Sequence, residues 1–178
     1  AVQVRDDQIV RMSELGAFAS IQLLGPPDWP SEEGYLSLMG EKANSMSRWR
    51  DFVESDVFTL GSTDWPWMTP EEFRDNPPSP MTAMYHAATQ DGYLNIPPEP
   101  YQLNQILTVE QSLRLLTING AYGTFEEDRK GSLTAGKWAD IVILSENPLA
   151  FPTQALTEIQ VMMTMIGGEL AYCAPSAE

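Results

Sequence analysis

An α/β fold is predicted by three features of the sequence. Helix-like and strand-like segments alternate with short joints through the first sixty residues, which is the grammar of strands packed under helices. Ala17–Leu23 (A-F-A-S-I-Q-L) reads as a strand that is nearly apolar on both faces, as a parallel sheet covered by helices requires. Beyond Gly131 the period changes to short strands around Gly167-Gly168, so the final 40 or so residues are expected to form a separate, small antiparallel β layer.

The elements follow in order. Asp6 or Asp7 can cap a helix whose apolar positions Ile9, Met12 and Leu15 share a face, with Gly16 as its stop. After the Ala17–Leu23 strand, Gly25-Pro26-Pro27-Asp28 opens a long polar loop. A second helix is expected from about Glu41 to Val53, with Met46, Trp49 and Val53 inward. It leads to the apolar run Val57-Phe58-Thr59-Leu60, a strand ending in the turn Gly61-Ser62-Thr63-Asp64-Trp65-Pro66. A loop dense in Trp, Pro and acids runs through Asn76-Pro77-Pro78. Ser79-Pro80 is an N-cap followed by proline at the first helical position, and the helix continues to about Thr89 with Met81, Met84 and Ala88 in register. Asn95–Pro100 is a stiff linker. Thr108-Val109-Glu110-Gln111 is a capping box for a helix carried by Leu113 and Leu116 to about Gly120. Ala139–Leu144, Gln160–Ile166 and Glu169–Cys173 are the strands of the last layer, the latter two a hairpin.

Composition excludes several classes of partner. The 178 residues suit one domain, or one with a small appendage, and a hydrophobic share of 43% supports a core. A net charge of −15 repels phosphate backbones and anionic lipid, which argues against nucleic acid and membrane surfaces. No apolar run approaches the roughly 20 residues that span a bilayer, and no signal peptide is visible, so this stretch reads as soluble. Cys173 is the one cysteine, which rules out an internal disulfide and a thiolate cluster and suggests a buried structural thiol.

Asp64 is the residue best placed for chemistry. An acid just past the carboxyl end of a buried strand stands where α/β folds put catalytic groups, although a turn aspartate bonding its own backbone fits the same hexapeptide. Trp65 and Trp67 beside it either floor a substrate pocket or cover the end of the sheet. Gly131–Lys137 matches the first part of a phosphate-binding loop, but Trp138 replaces the required Ser/Thr and the strand follows instead of preceding it. His86 is the one histidine and cannot build a zinc site; on its helix it is packed or solvent-facing. Glu126-Glu127-Asp128 beside Arg129-Lys130 is a solvated loop, and Met162, Met163 and Met165 are core filler on their strand.

One long segment adds to this reading. Thr108–Leu144, T-V-E-Q-S-L-R-L-L-T-I-N-G-A-Y-G-T-F-E-E-D-R-K-G-S-L-T-A-G-K-W-A-D-I-V-I-L, closely resembles the C-terminal region of the amidohydrolase superfamily, in its YtcJ-like branch. There a helix ending in Asn-x-Ala precedes a G-S-(I/L)-x-x-G-K-x-A-D segment that returns the chain to a β-sandwich. Gly61–Pro66 resembles the family's eighth-strand Gly-Ser-Asp-x-Pro motif, with Thr63 inserted before the acid, and Ala17–Gln22 resembles the seventh strand, which ends in Gln. The resemblance implies the last two strands and helices of a TIM-type (β/α)8 barrel over 1–130 and strands of a composite β-sandwich over 131–178. It implies hydrolysis of non-peptide carbon–nitrogen bonds, with Asp64 accepting a proton from a metal-bound water or itself a metal ligand, and with Gln22, Trp65 and Trp67 as substrate-pocket candidates. The family's His-x-His pair, its mid-barrel ligand and its later histidines are not in these residues. The resemblance therefore implies a divalent metal, zinc above all, and a small amide substrate for the complete enzyme, but no bound metal and no activity for this stretch alone. Open sheet edges imply contact with the remaining barrel polypeptide, or oligomers. The alternative is a non-catalytic interaction or regulatory domain derived from the same fold.

Overall fold

The computed structural model describes residues 3–23, 39–64, 79–91, 98 and 100–175. Helix α1 spans Asp6–Glu14 and buries Ile9, while Leu15, expected on the same face, is exposed. Arg5, not an aspartate, stands at its N-cap, and the Gln8 side chain accepts from the Arg5 amide at 3.0 Å. Gly16, at φ +62°, takes the left-handed conformation that ends the helix. Strand β1 (Ala19–Gln22) follows and pairs in parallel with β2 (Thr59–Ser62), Ala19 opposite Thr59 and Gln22 opposite Ser62.

The joint between the strands differs from the expected single helix over 41–53. A 3-10 segment at Gly40–Ser45 ends at Met46, which is extended and bridges Gln3, and helix α2 spans only Trp49–Glu54. The cause is the chain's first residues. Arg48 donates to the Val4 carbonyl at 3.2 Å, to Asp6 at 2.6 Å and to Asp51 at 2.6 Å. Burial alone would lower the Arg48 pKa, but those two carboxylates outweigh it and raise it. Ser47, at φ +48°, makes the turn between the two pieces. Strand β2 is also displaced from the expected 57–60. Phe58 accepts from the Ala19 amide and Ser62 from the Leu23 amide, so the ladder carries on through Gly61 and Ser62. A Cβ at Gly61 would stand 3.0 Å from Leu23 and 3.1 Å from Leu115, a closeness only glycine permits without displacement.

The two strands alternate their faces. Ala19, Ile21, Leu23 and Thr59 are buried against the helices. Ser20 is exposed and Gln22, Leu60 and Ser62 are half-buried, so the face opposite the helices is more open than the expected burial on both sides.

Helix α3 (Pro80–Thr89) has the expected start: Ser79 Oγ accepts from the Thr82 amide at 3.1 Å and Pro80 opens the first turn. It is the shared wall of two cores. Ala83 and Ala87 face a cluster built on Ile21, Leu23, Trp49 and Phe52, whereas Met81 and Met84 pack with Leu156 and Ile159. A single turn, α4 (Pro100–Leu103), leads to α5 (Val109–Leu116), whose Thr108–Gln111 capping box is formed in both directions at 3.1 and 2.8 Å. The helix does not run on to Gly120. Thr117, at ψ −95°, breaks it, and α6 (Ile118–Gly123) starts in a new direction.

Gly131–Asp140 forms a bent connection rather than a phosphate cradle. Gly131 and Gly136 have φ of +86° and +97°. Trp138 donates to the Arg129 carbonyl at 2.7 Å, and Asp140 accepts from the Gly167 amide at 2.8 Å, tying the connection to the hairpin turn. Strands β3 (Ile141–Leu144), β4 (Val161–Ile166) and β5 (Glu169–Cys173) form an antiparallel sheet in that order, and Gly167 and Gly168 both take positive φ in the turn. Met162, Met163 and Met165 are half-buried rather than core, as is Cys173. The loop after Gly25, the loop through Pro78 and most of the Asn95–Pro100 linker lie outside the described residues.

Candidate functional site

Asp64 stands two residues past the carboxyl end of β2, exposed, with φ +57°. The left-handed region costs an ordinary L-residue on the order of 1 kcal/mol, and Asp is among the few that visit it. Ser62 Oγ accepts from the Asp64 amide at 3.1 Å, a turn closed by a side chain two residues back. The turn differs from the expected one, since the Ser62 side chain, not the Asp64 carboxylate, accepts from the backbone, and Asp64 is exposed.

Gln22 ends β1 in register with Ser62, so Gln22, Ser62 and Asp64 gather at the carboxyl ends of the parallel pair. Gln22 is half-buried on the face away from the helices. Trp65 and Trp67 lie outside the described residues. His86 is not part of this group. It is 1% exposed within α3, and burial is the dominant influence lowering its pKa to about 4, against a weaker pull upward from Asp91. Among the described residues no group of three or more His, Cys, Asp or Glu side chains could hold a metal ion. The described donor set at this strand end, an exposed carboxylate beside a carboxamide and a hydroxyl, does not by itself fit a divalent cation.

A cavity of about 270 Å³ opens at the other end of β2, between Val53, Asp56, Val57, Thr59, Leu115 and Asn119. It lies at the amino end of the strand, away from Asp64, and is a gap beneath the helices rather than part of the candidate site. One residue that sequence reasoning passed over lines it. Asn119 donates through Nδ2 to the Thr59 carbonyl at 2.8 Å, on the edge of β2 away from β1. The Asn-x-Ala pattern therefore has a mechanical meaning: Asn119 ties α6 to the strand that carries the site, and Ala121 lies against Gly131, whose Cβ would stand 2.7 Å from it. The only signal for this was the pattern itself, since the partner carbonyl is sixty residues away.

Known proteins resemble this chain. The chain is 33% identical over 94 residues to an N-substituted formamide deformylase from Arthrobacter pascens, covering 53% of this chain and 17% of that protein. It is 22% identical over 124 residues to the putative amidohydrolase YtcJ of Bacillus subtilis (strain 168), covering 70% of this chain and 22% of that one. Among solved structures, an uncharacterized metal-dependent hydrolase from Pyrococcus horikoshii OT3 superposes with a TM-score of 0.69 at 23% identity, over 86% of this chain and 29% of its own. The chain thus spans about a fifth of the curated relatives it matches. The model of the amidohydrolase family matches residues 1–172, and over that span, which holds both the parallel pair with Asp64 and the antiparallel layer, the chain belongs to the amidohydrolase family.

Proposed function

We propose that these residues are the C-terminal portion of a metal-dependent amidohydrolase that cleaves non-peptide carbon–nitrogen bonds, and that they are inactive alone. In this reading β1 and β2 are the last two strands of a (β/α)8 barrel, residues 1–130 are barrel, and residues 131–178 are strands of a composite β-sandwich. The observation that carries it is the placement of Asp64: an exposed acid just past the carboxyl end of a parallel strand, the end at which such barrels assemble their sites. Asp64 would hold the proton released when water attacks the amide carbonyl, and Gln22, with Trp65 and Trp67, would line the pocket for a small amide. The divalent metal, with zinc the leading candidate, supplies Lewis acidity and a more acidic water when bound; its ligands would come from polypeptide beyond these residues.

The test is Asp64→Asn in the full-length polypeptide. Amide turnover should fall by a factor of at least roughly 10² while the fold is kept. Undiminished turnover would refute the role given to Asp64.

A second reading, a non-catalytic interaction module, is favoured by one feature. Phe18, Phe58, Tyr122 and Phe125 form a continuous aromatic group at the amino ends of the strands, with ring centroids 4.3–6.4 Å apart and Phe125 81% exposed. Specific capture of one protein partner, lost on Phe125→Ser and unaffected by Asp64→Asn, would favour that reading.

A further inference from the structure

We infer that the aromatic group at the amino ends of the strands is a seam within one polypeptide, anchored by Phe125, on which the amino ends of the preceding barrel strands close. The inference rests on the reading of these residues as the last part of a barrel and extends it to the surface that the remainder covers.

Strand alternation identifies the face. Phe18 and Phe58 directly precede β1 and β2 and continue the alternation of Ser20, Gln22, Leu60 and Ser62, on the side away from the helices. In a barrel of strands ringed by helices that side is the interior. Helix α6 crosses to it at the amino end. A Cβ on Gly123 would stand 2.6 Å from Leu60, and the Tyr122 ring lies 4.3 Å from that of Phe58 and 5.9 Å from that of Phe18. Helix α6 thus floors the interior at the end opposite Asp64.

Phe125 occupies a strained position. Its amide donates to the Tyr122 carbonyl and the Glu126 amide to the Ala121 carbonyl, both at 2.9 Å, which closes α6 with a cap whose left-handed residue is usually glycine. Here that residue is Phe at φ +59°, a region that bulky L-residues avoid. Among the described residues the ring gains little in return: it is 81% exposed, with the Phe18 ring 6.4 Å away. A strained backbone that presents an exposed aromatic ring marks a surface built to be covered.

The cover is in the same polypeptide. This chain spans 17% and 22% of its two curated relatives, so proteins of this kind carry ample further chain. A second copy is the poorer occupant. Each carries a net charge of −15, and Glu126-Glu127-Asp128 follow the anchor directly, so two copies meeting here would oppose like charges. Inward-facing aliphatic side chains at the amino ends of neighbouring strands, in the same layer as Phe18 and Phe58, are the chemistry that fits.

The experiment labels the purified full-length polypeptide with hydroxyl radicals and reads each residue by peptide mass spectrometry. Phe52, 1% exposed, and the unfolded chain are the two references. Phe125 should be labelled as slowly as Phe52 at every dilution. Labelling near the unfolded rate overturns the inference and leaves the ring to a separate protein. Protection that vanishes on dilution also overturns it, because the cover is then a second copy. In the same polypeptide Phe125→Asn keeps a residue at ease in the left-handed region but removes the ring, so the melting temperature should fall by several degrees. A rise or no change overturns the inference. Neither readout involves amide cleavage. A covered Phe125 with full turnover in Asp64→Asn leaves the seam standing and refutes the catalytic reading, whereas an exposed Phe125 with Asp64 essential refutes the seam alone.

Discussion

His86 shows how a residue's chemistry is decided by what surrounds it. As the one histidine it attracts attention, yet it lies inside α3 beside Tyr85, whose ring centroid is 5.8 Å away. Burial disfavours the imidazolium and brings the pKa from 6.5 down to about 4. Unfolded, the same side chain takes up its proton near pH 6.5. Between these two values the unfolded chain binds more protons than the folded one, so stability falls as pH drops through that window. The full effect is on the order of 3 kcal/mol. Urea midpoints measured at pH 6.5 and pH 5 should show the decline, and His86→Gln should flatten it whatever its effect on stability at neutral pH. An unchanged slope in that variant would mean that other groups carry the titration. Tyr85 responds to burial in the opposite sense: removal from water, then its 2.6 Å hydrogen bond to Asp91, pushes the phenol up to about 12, so it remains neutral throughout this range.

At the scale of elements, the strand that carries the candidate site depends on contacts made far along the chain. Helix α3 starts where Ser79-Pro80 says it should, because capping and proline geometry are local. Thr108–Gln111 is legible for the same reason. The span expected as a second helix is not, because the Arg48 guanidinium and the Gln3–Met46 bridge draw it toward the chain's first residues. Likewise Gly61 reads in isolation as the end of a strand, whereas packing against Leu23 and Leu115 makes it part of one. Asn119 gives the clearest test of such long-range anchoring. Asn119→Ala removes the donor to the Thr59 carbonyl and should cost about 1–2 kcal/mol, the lower part of the range for a lost partner because water can enter the adjacent cavity. Chemical denaturation measures it. No loss beyond a few tenths of a kcal/mol would show that water replaces the amide fully.

For the molecule as a whole, charge is the leading global term. Twenty-five acids against ten bases leave −15 on 178 residues, and among the described residues the pairs Arg5–Asp7, Arg11–Glu14 and Arg50–Glu54 are exposed. Such pairs contribute little individually, while self-repulsion acts across the whole surface. Raising salt from about 10 to about 150 mM shortens the screening length from about 30 to about 8 Å and should raise the melting temperature by a few degrees. A fall would show that local pairs outweigh the net field. Among the described residues, no helix is long and apolar enough to cross a membrane.

By itself the sequence determined the α/β class, the two helix starts, the Gly167-Gly168 hairpin and Asp64 as the acid to watch. All of these depend on side chains acting within a few residues of themselves, or on alternation that burial imposes. Only the tertiary structure decided that Gly61 and Ser62 belong to the strand, that Asn119 fastens its edge, and that Asp64 takes a left-handed backbone at the strand's end. Close approach of separate elements decided the first two, and the third is a backbone conformation that the residue types of the hexapeptide allow without dictating.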